Sequence, residues 1–264
     1  VKVGDRVAID PVLGCGSCGP CNSGRANACA SVSCRGVHVE GAMQERFKIR
    51  EQDVHTIPEN LKDLVLGASI EPFAIGAQAV WRGNVSAGQS MVIFGAGPIG
   101  LTTMFMAMNR GAQCIMIDMK EDRLQNAMRL GAIGAISSKA SDLKEQVFAL
   151  TGPEGPHVTC DAVGHPTIVD SCVDLVAPTG SVVLLGMDGQ QNNVTELAIF
   201  RKELNVVGSR MHSGKFPTVM GLIEKDALPL DAILTHRFTM SEAEQAFTMA
   251  IDQPEGFTKA VITF

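Results

Sequence analysis

The chain has 264 residues, 45% of them hydrophobic and 19% charged, with a formal net charge of −6. This is a globular balance, long enough to bury a large core and without the signature of disorder. The acidic surplus argues against nucleic acid or an anionic membrane as a partner, because both call for a basic surface. Apolar runs are broken by Gly, Pro or charge short of the roughly 18 residues a membrane span needs, so no membrane partner is expected.

The sequence opens on Val1, and residues 1–9 (VKVGDRVAI) read as a turn feeding a strand. The expectation is a domain entered midway, with residues missing ahead of Val1. The run CGSCGPCNSGRANAC then places Cys15, Cys18, Cys21 and Cys29 with gaps of two, two and seven residues. Four thiolates on one short loop close a tetrahedral shell with no open position, which is what a structural Zn2+ takes. Gly14, Gly16, Gly19 and Pro20 let the backbone wrap tightly enough for the sulfurs to converge. A ferredoxin-type iron–sulfur run closes its last gap with three residues and a proline, which this run does not. Disulfides or unligated thiols are the alternative.

Half of the eight cysteines are clustered. That usage points to metal chemistry in a reducing, cytoplasmic compartment rather than to a secreted disulfide scaffold. Cys34, Cys114, Cys160 and Cys172 read as buried small hydrophobes. The remainder of the first 70 residues is expected to be strand-like and loop-rich, including residues 36–49 (GVHVEGAMQERFKI).

The period changes after Glu71-Pro72. A strand at 91–94 leads through a glycine turn to a helix at 98–110, stopped by Gly111. A strand at 114–117 leads to a helix at 121–130, closed by Gly131. Further strands are expected at 135–136, 158–163, 181–185 and 204–207. Strand and helix in alternation predict an α/β fold of βαβ units on a doubly wound parallel sheet. After Gly208 come a helix at 216–225, a helix opened by a capping box of Ser241 and Glu244, and a closing strand at 259–264.

Gly95-Ala96-Gly97-Pro98-Ile99-Gly100 fits G-x-G-x-x-G between an apolar strand and a helix, and Asp118 closes the second strand 18 positions beyond Gly100. Gly95 allows the tight turn, Gly97 lets a pyrophosphate approach the backbone, and Gly100 lets helix and strand pack closely. The helix that opens on Pro98 offers phosphate the N–H groups of Ile99 and the residues after it, and a positive dipole end. Asp118 can accept from ribose hydroxyls and repels a 2'-phosphate, which favours NAD over NADP. Lys120 and Arg123 lie close enough to weaken that preference, and Arg123 is counted among the dinucleotide contacts. A plain strand–turn–helix connection is the alternative.

With GDRVAIDPVLGCGSCGPCNSGRANAC, IEPFAIGAQAV, VIFGAGPIGL and ILTHRFTMSEAEQAF, the sequence resembles the zinc-dependent medium-chain dehydrogenases, most closely their sorbitol and L-galactonate (L-gulonate) 5-dehydrogenase-like branch. The resemblance runs the whole length of the chain. It implies a Rossmann domain inserted in a partial GroES-like β-barrel catalytic domain: residues 1–72 with the structural zinc loop, 73–214 binding NAD, and 215–264 returning to the first domain. It implies a second, catalytic Zn2+ with Glu71 as a ligand, directly or through water; a first-turn helix carboxylate is the other reading of Glu71. Two departures stand out. The early Cys and Gly-His-Glu segments that supply the family's other catalytic ligands are not in the sequence, and GAMQERF at 41–47 replaces the usual paired glycines and tyrosine.

The resemblance also places Val163 and Met187 at the nicotinamide pocket, with core packing as the alternative. Arg210, at the end of the last strand, is placed to meet cofactor phosphate or substrate, or else to form a surface salt bridge. The implied reaction is oxidation of a secondary alcohol in a polyol, sugar acid or sugar phosphate by NAD, in a homodimer or homotetramer. A non-catalytic dinucleotide-binding sensor or assembly protein is the competing expectation, because catalytic ligands are lacking.

Overall fold

The structure, a computed structural model, describes residues 1–264. It divides into two units, residues 1–75 with 210–264 and residues 76–209.

The first unit opens with β1 (Val7–Ile9), β2 (Val12–Leu13), the four-residue helix α1 (Gly19–Asn22), β3 (Ser33–Cys34) and β4 (Val54–Thr56). β1 pairs antiparallel with β4, and β2 with β3. Residues 36–49 form no strand beyond an isolated bridge of Arg35 with Val39. The chain folds back on itself there: Gly36 has φ +80°, and a Cβ on Gly41 would lie 2.6 Å from the Gly36 Cα. Such a back-to-back approach leaves no extended edge to pair.

A 3-10 turn, Leu64–Ser69, runs into helix α2 (Ile70–Arg82), which leads from the first unit into the second. An 18-residue stretch of Leu64–Arg82 has a mean hydropathy of 1.3, so this 19-residue helical segment is long and apolar enough to cross a membrane by length and composition. Within it, Gly67, Glu71, Pro72 and Gly76 still break the apolar run. The reason for the composition is packing: Ile70, Phe73, Ala74, Ala79 and Val80 are buried, as in the core helix of a globular protein.

The second unit alternates strand and helix: β5 (Ser90–Phe94), α3 (Pro98–Met108), β6 (Gln113–Asp118), α4 (Glu121–Arg129), β7 (Gly134–Ser137), α5 (Leu143–Thr151), β8 (Val158–Asp161), α6 (Pro166–Leu175), β9 (Ser181–Leu184), α7 (Glu196–Lys202) and β10 (Asn205–Gly208). All six strands are parallel, in the order β10-β9-β8-β5-β6-β7. Read from β7, this is the 3-2-1-4-5-6 order of a doubly wound sheet, with the topological switch between β5 and β8. β5 is buried at all five positions, which is why its sequence is a continuous apolar run rather than an alternating one. Val92, Phe94, Ile115, Ile117, Leu175 and Val182 form the centre of the core.

The chain then returns to the first unit with α8 (Phe216–Ile223), β11 (His236–Thr239), α9 (Ala243–Asp252) and β12 (Ala260–Thr263), β11 and β12 pairing in parallel. The capping box is built by Thr239 and Glu242, not by Ser241 and Glu244. β11 runs to Thr239, so this residue still has extended backbone when the helical turn begins, and its N–H donates to Glu242 Oε2 at 2.8 Å. The unit breaks fall at 75/76 and 209/210 rather than at 72/73 and 214/215. A Cβ on Gly76 would lie 2.6 Å from the Thr102 carbonyl carbon, which ties Gly76 to α3, whereas residues 210–213 are bonded to the cysteine loop.

Candidate dinucleotide and metal sites

The glycine turn lies at the carboxyl end of β5, beside the switch point. Gly95 has φ +99°, a conformation that favours glycine, and its N–H donates to the Ile117 carbonyl at 2.7 Å. A Cβ on Gly100 would lie 1.7 Å from the Gly95 oxygen, so no other residue fits beneath the turn. Gly97 differs: a Cβ there would meet only Arg123 Nη1, at 3.7 Å. The protein itself leaves the space over Gly97 open, and it is there that a phosphate would approach the first turn of α3.

Asp118, buried at the end of β6, ties this turn down. Its Oδ2 accepts from the Ala96 N–H at 2.7 Å, and its Oδ1 accepts from the Lys120 N–H at 2.9 Å. Each oxygen keeps a second lone pair for a hydroxyl donor. Arg123 Nη1 is 3.9 Å from Oδ2, so the guanidinium stands between the acidic group and Gly97. Val163 and Met187 follow β8 and β9 and are exposed, 53% and 88%, which sets aside core packing as their explanation. Arg210 follows β10 and belongs to the first unit, where its carbonyl accepts from Asn27 Nδ2 at 2.7 Å and its Nη1 donates to the Asn27 oxygen at 3.5 Å.

In the first unit, Cys15, Cys18, Cys21 and Cys29 bring all four sulfurs within 4.8 Å of one another, with no disulfide. The Sγ atoms of Cys15 and Cys21 are 4.0 Å apart, close to the roughly 3.8 Å edge of a tetrahedron built on Zn–S bonds. A Cβ on Gly14 would lie 2.8 Å from Cys21 Sγ, so glycine is needed for the wrap. Buried Cys29 accepts from the Cys15 and Ser31 N–H groups at 3.5 and 3.3 Å, which suits a thiolate. N–H donation at Ser17 holds the Cys15 thiol down to about 6. Cys18 is pushed up to about 12: the Cys21 N–H lowers it, but bonds from the neighbouring thiols and burial outweigh that. Cys15 gives up its proton readily here and Cys18 resists, and a divalent cation would meet that demand. The donor set fits a structural zinc.

The loop is braced from far along the chain. The Ala26 N–H donates to Ser213 Oγ at 3.0 Å, and that hydroxyl donates to the Gly24 oxygen at 2.9 Å. Sequence reading missed Ser213 and Asn27, because nothing local marks a bond across 187 positions.

Glu71, in the first turn of α2, lines a cavity of about 380 Å3 with Pro11, Arg35, Phe47 and Phe216. Burial pushes its carboxyl up to about 7, against the pull of Lys259 and with the help of Asp10. A catalytic zinc takes three protein ligands, and Glu71 offers one, so these residues alone do not build that centre. Cys34 is half-buried rather than buried, and its thiol is raised by burial, Glu71 and Asp10. His38 serves locally, its Nδ1 accepting from the Cys34 N–H at 3.1 Å.

Two family comparisons match this architecture. Residues 1–59 match the alcohol dehydrogenase GroES-like domain, and residues 98–225 match the zinc-binding dehydrogenase family. The starvation-sensing protein RspB of Escherichia coli K12 is 32% identical over 265 residues, spanning 100% of this chain and 77% of that protein. The chain belongs to the zinc-dependent medium-chain dehydrogenases. L-galactonate-5-dehydrogenase of E. coli K12 is another relative in this family, 29% identical over 100% of this chain and 77% of its own length. The crystal structure of rspB from E. coli CFT073, complexed with NADH, superposes with a TM-score of 0.94 at 32% identity, covering 99% of this chain and 77% of that one.

Proposed function

We propose that this zinc-type dehydrogenase oxidises a secondary alcohol of a polyol, sugar acid or sugar phosphate with NAD as hydride acceptor. The observation that carries the reading is the open space over Gly97 at the head of α3, in a chain whose 32%-identical neighbour was crystallised with NADH. A bound nicotinamide supplies the hydride acceptor, and a zinc in the cysteine loop supplies stability. The chain's own residues do the rest: the N–H groups of the first α3 turn bind phosphate, and Asp118 accepts from the ribose while fixing the turn. Val163 and Met187 flank the nicotinamide end. Glu71, with its carboxyl near 7, holds or releases a proton around neutral pH inside a mostly apolar cavity.

The substrate class rests on the name of the L-galactonate relative and on the shared fold. A second reading, a dinucleotide-binding sensor without turnover, is favoured by the name of the starvation-sensing relative. One experiment separates them: metal analysis together with NADH titration and an NAD-coupled screen of polyols, sugar acids and their phosphates. NADH binding with turnover of a secondary alcohol is the expected result. NADH binding with no turnover on any of these supports the sensor, and no NADH binding overturns both.

A further inference from the structure

The notable residue at the cofactor edge is Asp161, the last residue of β8, and neither the glycine motif nor the cysteine loop points to it. It is 1% exposed. A carboxylate this deep costs free energy unless it is fully engaged, and its partners here are backbone N–H groups rather than a cation. Oδ1 accepts from the Val163 N–H at 2.9 Å and from the Gly164 N–H at 2.8 Å. The main-chain oxygen of the same residue accepts from the Leu185 and Gly186 N–H groups, at 3.0 and 2.9 Å. One residue therefore fastens the loops that follow two adjacent strands.

Those loops are locked at the level of backbone. A Cβ on Gly164 would lie 2.5 Å from the Met187 nitrogen, and one on Gly186 would lie 2.1 Å from the Gly164 nitrogen. On the other side, a Cβ on Gly95 would lie 2.9 Å from Val163 Cγ2 and 3.5 Å from the Ala162 oxygen. The glycine turn, the β8 loop and the β9 loop thus form one contiguous strip along the carboxyl edge, each touching the next. Val163 and Met187 stand exposed on that strip; from below, Asp118 holds the glycine turn through the Ala96 N–H, and Asp161 holds the β8 and β9 loops.

We propose that Asp161 is a positioning residue for the nicotinamide half of the cofactor: its carboxylate and carbonyl hold the β8 and β9 loops in register with the glycine turn, so that Val163 and Met187 present a fixed surface to the ring. The proposal rests on the dinucleotide reading of this edge. It assigns Asp161 no contact with the adenosine half, which belongs to Asp118 and the first turn of α3.

The test is calorimetric titration of the wild type, Asp161→Ala and Asp161→Asn with NADH and with ADP-ribose, which lacks the nicotinamide. Losing two backbone bonds to a charged acceptor is expected to weaken NADH about tenfold in Asp161→Ala. ADP-ribose is expected to stay within about twofold, because the two halves are separate sites of contact. Asp161→Asn keeps an oxygen acceptor at the same place and is expected to restore NADH binding to within about threefold of the wild type. Unchanged NADH affinity in Asp161→Ala overturns the proposal. So does an equal loss of ADP-ribose, which marks general damage, or an Asn variant no better than Ala. A wild type that binds neither ligand overturns the dinucleotide reading itself. Should Asp161→Ala not fold, hydrogen exchange on the wild type decides: the Val163 amide is expected to be protected on the order of a hundredfold despite its exposed side chain, and free exchange there overturns the proposal.

Discussion

At the scale of single residues, two glycines of one motif have opposite physical reasons for being glycine. Gly100 is glycine because the protein has no room, with a Cβ falling 1.7 Å from the Gly95 oxygen. Gly97 is glycine although the protein has room. Gly100→Ala is therefore expected to lower the yield of folded protein, measured by circular dichroism and melting. Gly97→Ala is expected to melt within about 2 °C of the wild type but to bind NADH more than about tenfold weaker, since only the ligand meets the added methyl. A Gly97→Ala variant with wild-type NADH affinity would show that phosphate does not pass there. Asp53 offers a test in pH. Burial by itself would raise its carboxyl, but Arg50 at 2.8 and 2.9 Å and Arg35 at 2.6 Å hold it below the ordinary value. A depressed acid contributes stability above its unfolded pKa and loses it as pH falls through the folded one. Asp53→Asn is thus expected to cost about 2 kcal/mol near neutral pH and to flatten the loss of stability below about pH 4, read from urea midpoints across pH.

At the scale of elements, the cysteine loop was legible because its chemistry is local: four thiols and the glycines that let them meet lie within 16 residues, 14–29. Cys21→Ser is expected to release one zinc per chain on metal analysis and to melt lower, while unchanged metal content would remove the structural-site assignment. The strands of the sheet were legible for a similar reason, since continuous apolar runs such as Ser90–Phe94 announce burial on both faces. The short strands of the first unit were not. β2 and β3 are two residues each, too short to carry a period, and residues 36–49 have strand-like letters but fold back at Gly36 and Gly41. The capping box slipped by two residues because Thr239 and Ser241 are both good caps, and only the end of β11 decides between them. The role of Asp161 was hidden although the run DAVG was in plain view, because its partners on the β9 loop are contributed by pairing across the sheet.

At the scale of the whole molecule, each unit carries its own candidate ligand site, the cysteine loop in one and the glycine turn in the other. Scanning calorimetry is expected to show NADH at about 100 times its dissociation constant raising the transition of residues 76–209 by about 5 °C. Chelation of zinc is expected to lower the transition of the other unit and leave this one in place. Equal shifts of both on chelation would mean that the metal is not confined to the loop. The sheet's outer strand β10 leaves one edge unpaired, with Val206 exposed along it.

The bond between Ala26 and Ser213 has a consequence for how the molecule is born. A ribosome delivers the cysteine loop early, but the hydroxyl that braces it arrives 187 positions later, after every strand of the parallel sheet has emerged. The sheet, whose contacts are closer together along the chain, is free to collapse before that brace arrives. The brace is therefore added to the loop late in synthesis, and a nascent chain stalled before Ser213 is expected to hold the cysteine loop less firmly than the finished chain.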